Sequence, residues 1–456
     1  MAGIGFELRK LLRKESYTGL LQAYAYAGII SSGPWVLSIV GILVIGLLSA
    51  AVVVPGTLIT QFQVSVTYLM VSSLVFTGGM QLAFTRFIAD CLFEKKTELV
   101  LPNFNGMLLV VMVSGGVLAL IVVLLLFPRQ SDIYRVLMLA GFVELCGIWV
   151  ATIFLSGMKL YKEIVQLFGL GYAITVVSAY VLRPLGMEGL LFGFVLGHFV
   201  LFTGMIQMTL RDYPSDRFIS FDFARRGAMF PTLIATGLFY NLGIWADKLM
   251  FWFNADTSQA VIGPLRSSVI YDLPIFLAYL AIIPGMAVFL VRIETDFVEY
   301  YTKFYDAVRK GGSLDYIEQM RDEMVFTIRQ GIFEIIKIQA MAVLALFVAG
   351  PALLRFLGIS QLYLPLLYVD VVAASLQVVL LGVLNVFFYL DKRAEVLLLT
   401  AMFLSLNVTF TGMTLLAGAP FYGYGFALSL LVTVLFAMIL LDAKLQKLEY
   451  ETFMLQ

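Results

Sequence analysis

Four charged residues stand inside or beside strongly apolar stretches of this sequence. Asp247 and Lys248 close one apolar run, and Arg266 and Asp272 open the next. Charge is expensive inside a membrane span, and such residues usually pair with each other or face a water-filled cavity. The sequence therefore predicts either an ion-pair network between two helices or a hydrated lining that contacts a polar substrate.

Three further residues are candidates for the same substrate pathway. Tyr240 and Trp245 lie close to these charges. Their rings suit stacking on sugars, although aromatic girdles at the membrane interface are a common alternative. Glu144 is a lone carboxylate in an earlier apolar run, where an isolated charge is hard to tolerate.

The pattern G-M-x5-R-x3-D occurs twice, and Arg292 stands 206 positions after Arg86. Asp90 and Asp296 each follow their arginine at i, i+4, the spacing at which side chains meet on a helix surface. We expect two Arg–Asp pairs at a cytoplasmic gate, or two anchors at helix ends. A repeat of this kind indicates two related halves around a central pathway.

The first apolar run contains the dipeptide Gly33-Pro34. Proline inside a helix removes a backbone hydrogen bond and usually kinks the helix. The sequence predicts a hinge at this point, or a proline that the membrane helix simply tolerates.

Several kinds of chemistry have no support in the sequence. No P-loop is present, a single histidine excludes H-E-x-x-H metal sites, and no two aspartates are spaced D-x-D. Lys plus Arg equals Asp plus Glu at 30 each, which argues against nucleic-acid binding. We predict a protein that is not an enzyme and has no cofactor and no metal.

The composition requires a membrane. Hydrophobic residues make up 61% of the 456, and charged residues only 13%. A bilayer-spanning helix needs about 20 apolar residues. The apolar runs cover roughly 20–53, 62–90, 101–127, 132–158, 163–182, 188–211, 226–252, 265–293, 331–357, 362–390, 393–417 and 421–442. This predicts an all-α integral membrane protein with 12 transmembrane helices in two pseudo-symmetric six-helix bundles.

The basic residues give the orientation. Of the 30 lysines and arginines, 23 fall on one side of the predicted topology and 5 on the other. Basic residues concentrate in cytoplasmic loops, so both termini are predicted to be cytoplasmic. We expect a multi-pass protein of the bacterial inner membrane.

The runs also suggest domain limits. The predicted segments are a cytoplasmic amphipathic N-terminal helix at 1–19, an N-terminal six-helix lobe at 20–212, a cytoplasmic linker at 213–225, a C-terminal six-helix lobe at 226–446 and a tail at 447–456. The N-terminal helix is basic and amphipathic, which suits a membrane surface. The C-terminal lobe includes an insert at 297–330 with two short helices broken at Gly311-Gly312, and Ser313 is a plausible N-cap. This insert is either a solvated lid or a docking surface.

Two stretches carry a resemblance to known transporters. The runs MAGIGFEL at 1–8 and QAYAYAGIISSGPW at 22–35 resemble the inner-membrane export proteins of the Pel exopolysaccharide system, within the multidrug/oligosaccharidyl-lipid/polysaccharide exporter superfamily. The resemblance implies a V-shaped, two-lobed fold that moves a hexosamine-rich polysaccharide outward. It also implies work beside a cytosolic glycosyltransferase, a membrane cyclic-di-GMP receptor and other Pel inner-membrane proteins.

One departure from the superfamily bears on energy coupling. Drug-exporting members often place a carboxylate in the first span, whereas the first two spans here have none before Asp90. This argues against cation antiport through the first lobe, and the driving force of export stays open. The alternatives to a polysaccharide exporter are a lipid-linked oligosaccharide flippase, a cation-coupled antiporter of the same fold, and a non-transporting scaffold for the synthase.

Overall fold

Long apolar runs form long helices throughout the chain, because backbone groups in lipid must satisfy their hydrogen bonds internally. The structure is a computed structural model that describes residues 17–49, 53–158 and 160–454. The first six helices are α1 (Tyr17–Ser49), α2 (Thr57–Phe93), α3 (Val100–Leu126), α4 (Asp132–Gly157), α5 (Tyr161–Leu182) and α6 (Met187–Asp212). Residues 1–16 of the predicted N-terminal helix lie outside the described part.

The second half contains more and shorter elements. They are α7 (Pro231–Phe253), strands β1 (Gln259–Ile262) and β2 (Leu265–Ser267), α8 (Val269–Tyr279), α9 (Ile282–Val291), a π-helical turn (Arg292–Phe297), α10 (Val298–Arg309), α11 (Leu314–Phe356), α12 (Leu364–Tyr389), α13 (Arg393–Ala417), α14 (Tyr424–Gln446) and α15 (Leu448–Met454). Short 3₁₀ turns occur at Thr97–Leu99, Arg183–Leu185, Asp222–Ala224, Gln361–Tyr363 and Ala419–Phe421.

Ten helical segments of the described chain are long and apolar enough to cross a membrane. They correspond to ten of the predicted runs. The other two runs are α1, of which Leu37–Ser49 is a shorter apolar helix, and α7, which carries Asn241, Asp247 and Lys248.

The connection between α7 and α8 differs from the prediction. The eighth run was expected to begin as a helix near residue 265, but β1 and β2 form an antiparallel hairpin there, and α8 begins at Val269. Arg266 therefore lies on a strand. The predicted start of this helix was wrong, because the few residues at the edge of an apolar run do not distinguish helix from strand.

The insert at 297–330 also differs in part. Ser313 is the N-cap of α11, as predicted, and its hydroxyl accepts a hydrogen bond from the Tyr316 amide at 3.4 Å. The second helix of the insert is not short, however. It continues without a break into the ninth apolar run, so α11 has 43 residues.

The described chain divides into two compact units. We call Gly33–Val269 the N unit, and residues 17–32 with 270–454 the C unit. The first half of α1 thus belongs to the C unit, whereas α7 belongs to the N unit. The sequence prediction instead placed α1 in the lobe at 20–212 and α7 in the lobe at 226–446. One boundary falls between Ser32 and Gly33, at the dipeptide predicted to be a hinge.

Close glycine contacts explain why α7 packs in the N unit. A Cβ atom added to Gly237 would lie 2.2 Å from the carbonyl oxygen of Gly78 on α2. A Cβ on Gly78 would lie 2.3 Å from Nδ2 of Asn241. Small residues let two membrane helices approach to backbone contact, where packing and polar contacts hold them together.

Candidate functional site

Asp247 and Lys248 form an ion pair inside the N unit. Lys248 Nζ lies 3.1 Å from Asp247 Oδ2, and both side chains are 0% exposed. The same ammonium group donates a hydrogen bond to the carbonyl oxygen of Ile244 at 2.9 Å. A buried charge needs such partners, because removing it from water costs several kcal/mol, on the order of the interaction itself.

Aromatic rings surround this pair. The ammonium group of Lys248 lies 5.7 Å from the centre of the Trp245 ring, within the range of a cation–π contact. Trp252 stacks on Tyr68 with ring centres 4.7 Å apart. The buried indole N–H of Trp245 has no hydrogen-bond partner. Because both charged side chains are fully buried, the pair is shielded from water in this conformation.

Arg266 has different partners from those expected. Its Nε donates to the carbonyl oxygen of Trp252 at 3.2 Å and to the hydroxyl of Ser258 at 2.9 Å. These bonds fasten the β-hairpin to the end of α7. Asp272 lies in the first turn of α8, in the C unit. Within the N unit, the structure therefore brings together Asp247, Lys248 and Trp245, while the guanidinium of Arg266 bonds to the last turn of α7 and to the loop after it.

Glu144 is partly buried on α4, and Tyr240 is partly buried on α7. Oxygen Oε2 of Glu144 is buried and has no hydrogen-bond partner. A carboxylate in this position is costly as an anion. Glu144 is thus a second polar group inside the N unit whose side chain is incompletely satisfied.

The first copy of the repeated pattern forms an ordinary helical ion pair. Arg86 Nε lies 3.0 Å from Asp90 Oδ1, near the end of α2. Both side chains are more than a third exposed. Exposed i, i+4 pairs contribute only about 0.3–0.5 kcal/mol, so this contact by itself adds little to stability.

The second copy is more elaborate. Arg292 Nη1 contacts Asp296 Oδ2 at 2.7 Å, and Arg292 also binds both carboxylate oxygens of Glu334 on α11, at 2.5 and 3.1 Å. Bidentate pairs of this geometry are the strong form of the Arg–carboxylate contact. The phenol of Tyr24 on α1 is within hydrogen-bonding reach of Arg292. The second pair is therefore part of a four-residue cluster.

The backbone at this second copy is not α-helical. Residues Arg292–Phe297 form a π-helical turn between α9 and α10. The hydroxyl of Tyr389 on α12 donates to Glu294 within this turn, at 2.7 Å. Single π-turns occur frequently at functional sites.

Sequence reasoning missed Glu334 and Glu294. A signal for Glu334 was available, since it is a carboxylate within the ninth apolar run, and such carboxylates need a partner. Glu294 lies inside the repeated pattern itself, between Arg292 and Asp296. Nothing in the one-dimensional spacing predicts that Tyr389 binds it.

The linker between α6 and α7 is bound to α3 within the N unit. Asn103 Oδ1 accepts from the Asp222 amide at 2.8 Å, and Asn103 Nδ2 donates to Asp222 Oδ2 at 3.1 Å. The hydroxyl of Ser220 donates to the same carboxylate at 2.6 Å. Hydrogen bonds from Ser220 and Asn103, together with nearby arginines, lower the pKa of Asp222 below its ordinary value.

Comparison with known proteins shows which family the chain matches. Residues 1–453 match the family model described as "PelG: Putative exopolysaccharide Exporter (EPS-E)". No curated protein matches the chain. The structure is similar to a multidrug resistance MATE family transporter of the MOP superfamily in an outward-facing conformation, with a TM-score of 0.68, 14% identity, and coverage of 93% of this chain and 96% of that chain.

Two other solved structures are similar over the same length. A MOP superfamily transporter from Pyrococcus furiosus gives a TM-score of 0.60 at 14% identity, covering 93% of this chain and 96% of that one. The Vibrio cholerae MATE transporter VcmN in the bent form gives 0.60 at 14% identity, covering 93% and 98%. At this identity the likeness shows the fold. The predicted all-α membrane fold, with twelve transmembrane helices in two pseudo-symmetric bundles, is confirmed.

Proposed function

The chain belongs to the PelG family of exopolysaccharide exporters, and from this premise we propose that it moves a hexosamine-rich exopolysaccharide, Pel, from the cytoplasm to the periplasm. The family and the fold are those of a multi-pass membrane transporter. The inner-membrane location with both termini cytoplasmic is part of the proposal. It is supported by the 23 basic residues on one side of the twelve-span topology against 5 on the other.

The observation that carries the proposal is the buried Asp247–Lys248 pair. A fully buried pair is a poor device for stability alone, because an apolar pair of similar volume often stabilises a protein as well. We infer that these charges, with Trp245 beside them, contact the polymer at a stage of the cycle when the path opens. Glu144 contributes a further polar group to the same unit.

We propose that Arg86 with Asp90, and Arg292 with Asp296, act in a cytoplasmic gate. Both arginines belong to the repeated pattern, and both make an ion pair with the aspartate one turn later. The hydroxyl and amine groups of a hexosamine polymer can replace water molecules as hydrogen-bond partners of such partly exposed charges. The unit boundary at Gly33 supports a hinge at Gly33-Pro34.

The proposed partners follow from the polymer. A cytosolic glycosyltransferase would deliver the growing chain, and a cyclic-di-GMP receptor of the membrane would regulate delivery. Helix α10 ends just before the turn at Gly311-Gly312, and α11 begins just after it. These two helix ends offer a docking surface for both partner proteins on the cytoplasmic side.

Reconstitution tests the proposal. The purified chain and its synthase are placed in vesicles, and labelled polymer is scored as protected inside or accessible outside. We expect the wild type to translocate polymer and the double variant Asp247→Asn/Lys248→Met to bind the synthase without translocation. The matched control is Arg211→Gln/Asp212→Asn, an exposed pair of neighbours. Undiminished translocation by the first double variant would refute the pathway role.

The same experiment separates the alternatives. Translocation of short lipid-linked oligosaccharide without a synthase would indicate a flippase. Polymer that stays on the synthase side with every variant, while the synthase still binds, would indicate a scaffold.

A further inference from the structure

The linker between α6 and α7 lies along the first turns of α3. The amide of Ser220 donates to the carbonyl oxygen of Pro102 at 2.9 Å, and Asn105 Nδ2 donates to the carbonyl oxygen of Phe218 at 2.8 Å. A Cβ atom added to Gly106 would lie 2.0 Å from the carbonyl oxygen of Ser220. The linker is therefore in backbone contact with α3 at Gly106, and its position along that helix is fixed.

The sequence of α3 shows where this contact lies relative to a membrane. No charged or amide side chain occurs from Met107 to Leu126, and about 20 residues of helix cross the hydrocarbon core of a bilayer. Asn103 and Asn105 come just before this stretch. Gly106 therefore lies at the border between the hydrocarbon core and the headgroup layer, and the linker residues that touch it lie at the same level.

The face of α3 that the linker covers continues as a lipid-facing surface. Leu109 and Val110 follow Asn105 and Gly106 by four residues and lie on the same helix face. Both are exposed, on a segment that is long and apolar enough to cross a membrane. The linker thus covers the end of a lipid-facing surface, and its own outer side meets lipid in place of the helix.

The side chains that the linker exposes at this level are apolar. Phe218 is 72% exposed, and Ile219 and Phe221 are exposed as well. Three exposed large apolar side chains within four residues mark an interaction site when they form one patch. Aromatic residues are enriched at the membrane interface, where one end of the side chain is in hydrocarbon. These side chains therefore suit the level at which α3 places them.

Arginines flank the apolar residues. Residues 217–226 contain three arginines and one aspartate, and Arg217, Arg225 and Arg226 are all exposed. Arg225 pairs with Asp222 at 2.7 Å. Guanidinium groups bind phosphate oxygens through two parallel hydrogen bonds, and basic residues beside a membrane are attracted to anionic headgroups. Arg217 and Arg226 therefore suit the phosphates that lie just outside the hydrocarbon core.

We propose that residues 217–226 bind the surface of the bilayer, with the apolar side chains among the acyl chains beside α3 and with Arg217 and Arg226 on the phosphates of anionic phospholipids. This contact holds the N unit at a fixed depth at one membrane surface. A protein partner is the competing occupant of an exposed aromatic patch. The contact at Gly106 favours lipid, because it places the patch at the border of the hydrocarbon core.

Fluorescence quenching tests the contact in the full-length protein, whose own cysteines are both buried. Phe218→Cys is labelled with a thiol-reactive dye, and the protein is placed in nanodiscs that contain spin-labelled lipid. The control is Leu314→Cys, which is 64% exposed at the start of α11. At 1.5 Å per residue it lies about 25 Å from the apolar run that begins near residue 331. We expect spin-labelled lipid to quench the dye at position 218 at least about threefold more than at position 314, since only the first lies at the membrane interface.

An added methyl group tests the role of α3. Gly106→Ala should displace the linker, because the new Cβ meets the carbonyl oxygen of Ser220. Quenching at position 218 should then fall toward that of the Leu314→Cys control. The matched variant is Gly116→Ala on the same helix, where the new Cβ would lie 3.6 Å from Val143, an ordinary contact. It should leave the quenching unchanged.

Charge removal tests the phosphate contact separately. Spin-labelled phosphatidylglycerol should quench the dye at position 218 at least about threefold more than spin-labelled phosphatidylcholine, because basic residues attract anionic lipid. Arg217→Gln/Arg226→Gln should bring this ratio to about one. The control Arg309→Gln/Lys310→Gln removes two exposed basic residues at the end of α10 and should keep the ratio.

Two results would overturn the proposal. Equal quenching at positions 218 and 314 would place residues 217–226 in water, open to a protein partner. A lipid ratio near one in the protein with both arginines, or a ratio that their removal leaves unchanged, would exclude the phosphate contact. These readouts do not depend on export.

Discussion

Removal of one member of the Asp247–Lys248 pair should lower the stability of the folded protein strongly. The losses of the two single variants should together be much larger than the loss of the double variant. The variants are Asp247→Asn, Lys248→Met and their combination. Each single variant leaves one fully buried charge without its partner at 3.1 Å. The double variant removes both charges and retains comparable volume.

The expected magnitudes follow from burial. Breaking a buried pair by removing one partner costs about 3–5 kcal/mol. Two residues in contact have coupling energies of about 0.5–3 kcal/mol, and full burial places this pair at the upper end. A loss of about 3–5 kcal/mol corresponds to a decrease of roughly 140- to 3,700-fold in the ratio of folded to unfolded protein, since about 1.4 kcal/mol is tenfold.

Thermal unfolding of the detergent-solubilised protein, followed by size-exclusion chromatography, measures these differences. The control is Arg211 and Asp212, also neighbours in sequence at 2.7 Å but with the arginine 73% exposed. Its single variants should lose less than about 1 kcal/mol. Additive losses at Asp247 and Lys248, or single-variant losses no larger than those of the control, would refute the reasoning.

Three other perturbations test the packing and the charges. Arg292→Gln should lower the midpoint of thermal unfolding more than Arg86→Gln, because Arg292 binds two carboxylates, and equal midpoints would contradict this. The double variant Arg86→Gln/Arg292→Gln should abolish export, and normal export would contradict the gate. Gly237→Ala should destabilise by about 1–3 kcal/mol through overpacking, whereas Gly169→Ala, which has open space around it, should not, as unfolding of both variants will show. Asp222 has a lowered pKa in the folded state, so its contribution is present above its ordinary pKa and lost as pH falls through the lower folded value; the difference in unfolding midpoint between wild type and Asp222→Asn should shrink toward pH 3, and a constant difference would contradict it.

Much of the fold could be predicted from the sequence. Hydropathy and length located the long helices, since a membrane span requires a continuous apolar run. Ser313 was recognised as an N-cap because its side chain stands just before an amphipathic pattern. The hairpin before α8 was missed, because its seven strand residues give no distinct period.

The partition into units could not be predicted from the same signals. Hydropathy identifies α1 and α7 as spans but contains no information about which helices pack together. That information lies in Gly78 and Gly237, whose backbones touch. A glycine in an apolar run indicates a close approach but does not name the partner helix.

The charged site was predicted in part for a similar reason. Asp247 and Lys248 are adjacent, so their pairing needed no tertiary information. Arg266 was assigned to the same cluster because the end of one apolar run and the start of the next lie on the same side of the membrane. Its guanidinium instead binds Trp252 and Ser258, since the hairpin turns the chain back on the end of α7.

The repeated pattern shows that equal spacing does not imply equal structure. Arg86 and Asp90 lie on an unbroken α-helix, whereas Arg292–Phe297 forms a π-turn. Both copies have the same number of residues, so an insertion within the pattern does not explain the difference.

Two other helices contact the second copy. Glu334 on α11 binds Arg292, and Tyr389 on α12 binds Glu294, so both helices bind side chains of the same turn. Gly331 allows this approach, because a Cβ there would lie 3.2 Å from the Cβ of Arg292. The second copy is thus built into the C unit by contacts from α11 and α12. If Arg292 belongs to a cytoplasmic gate, these contacts hold its guanidinium in one position.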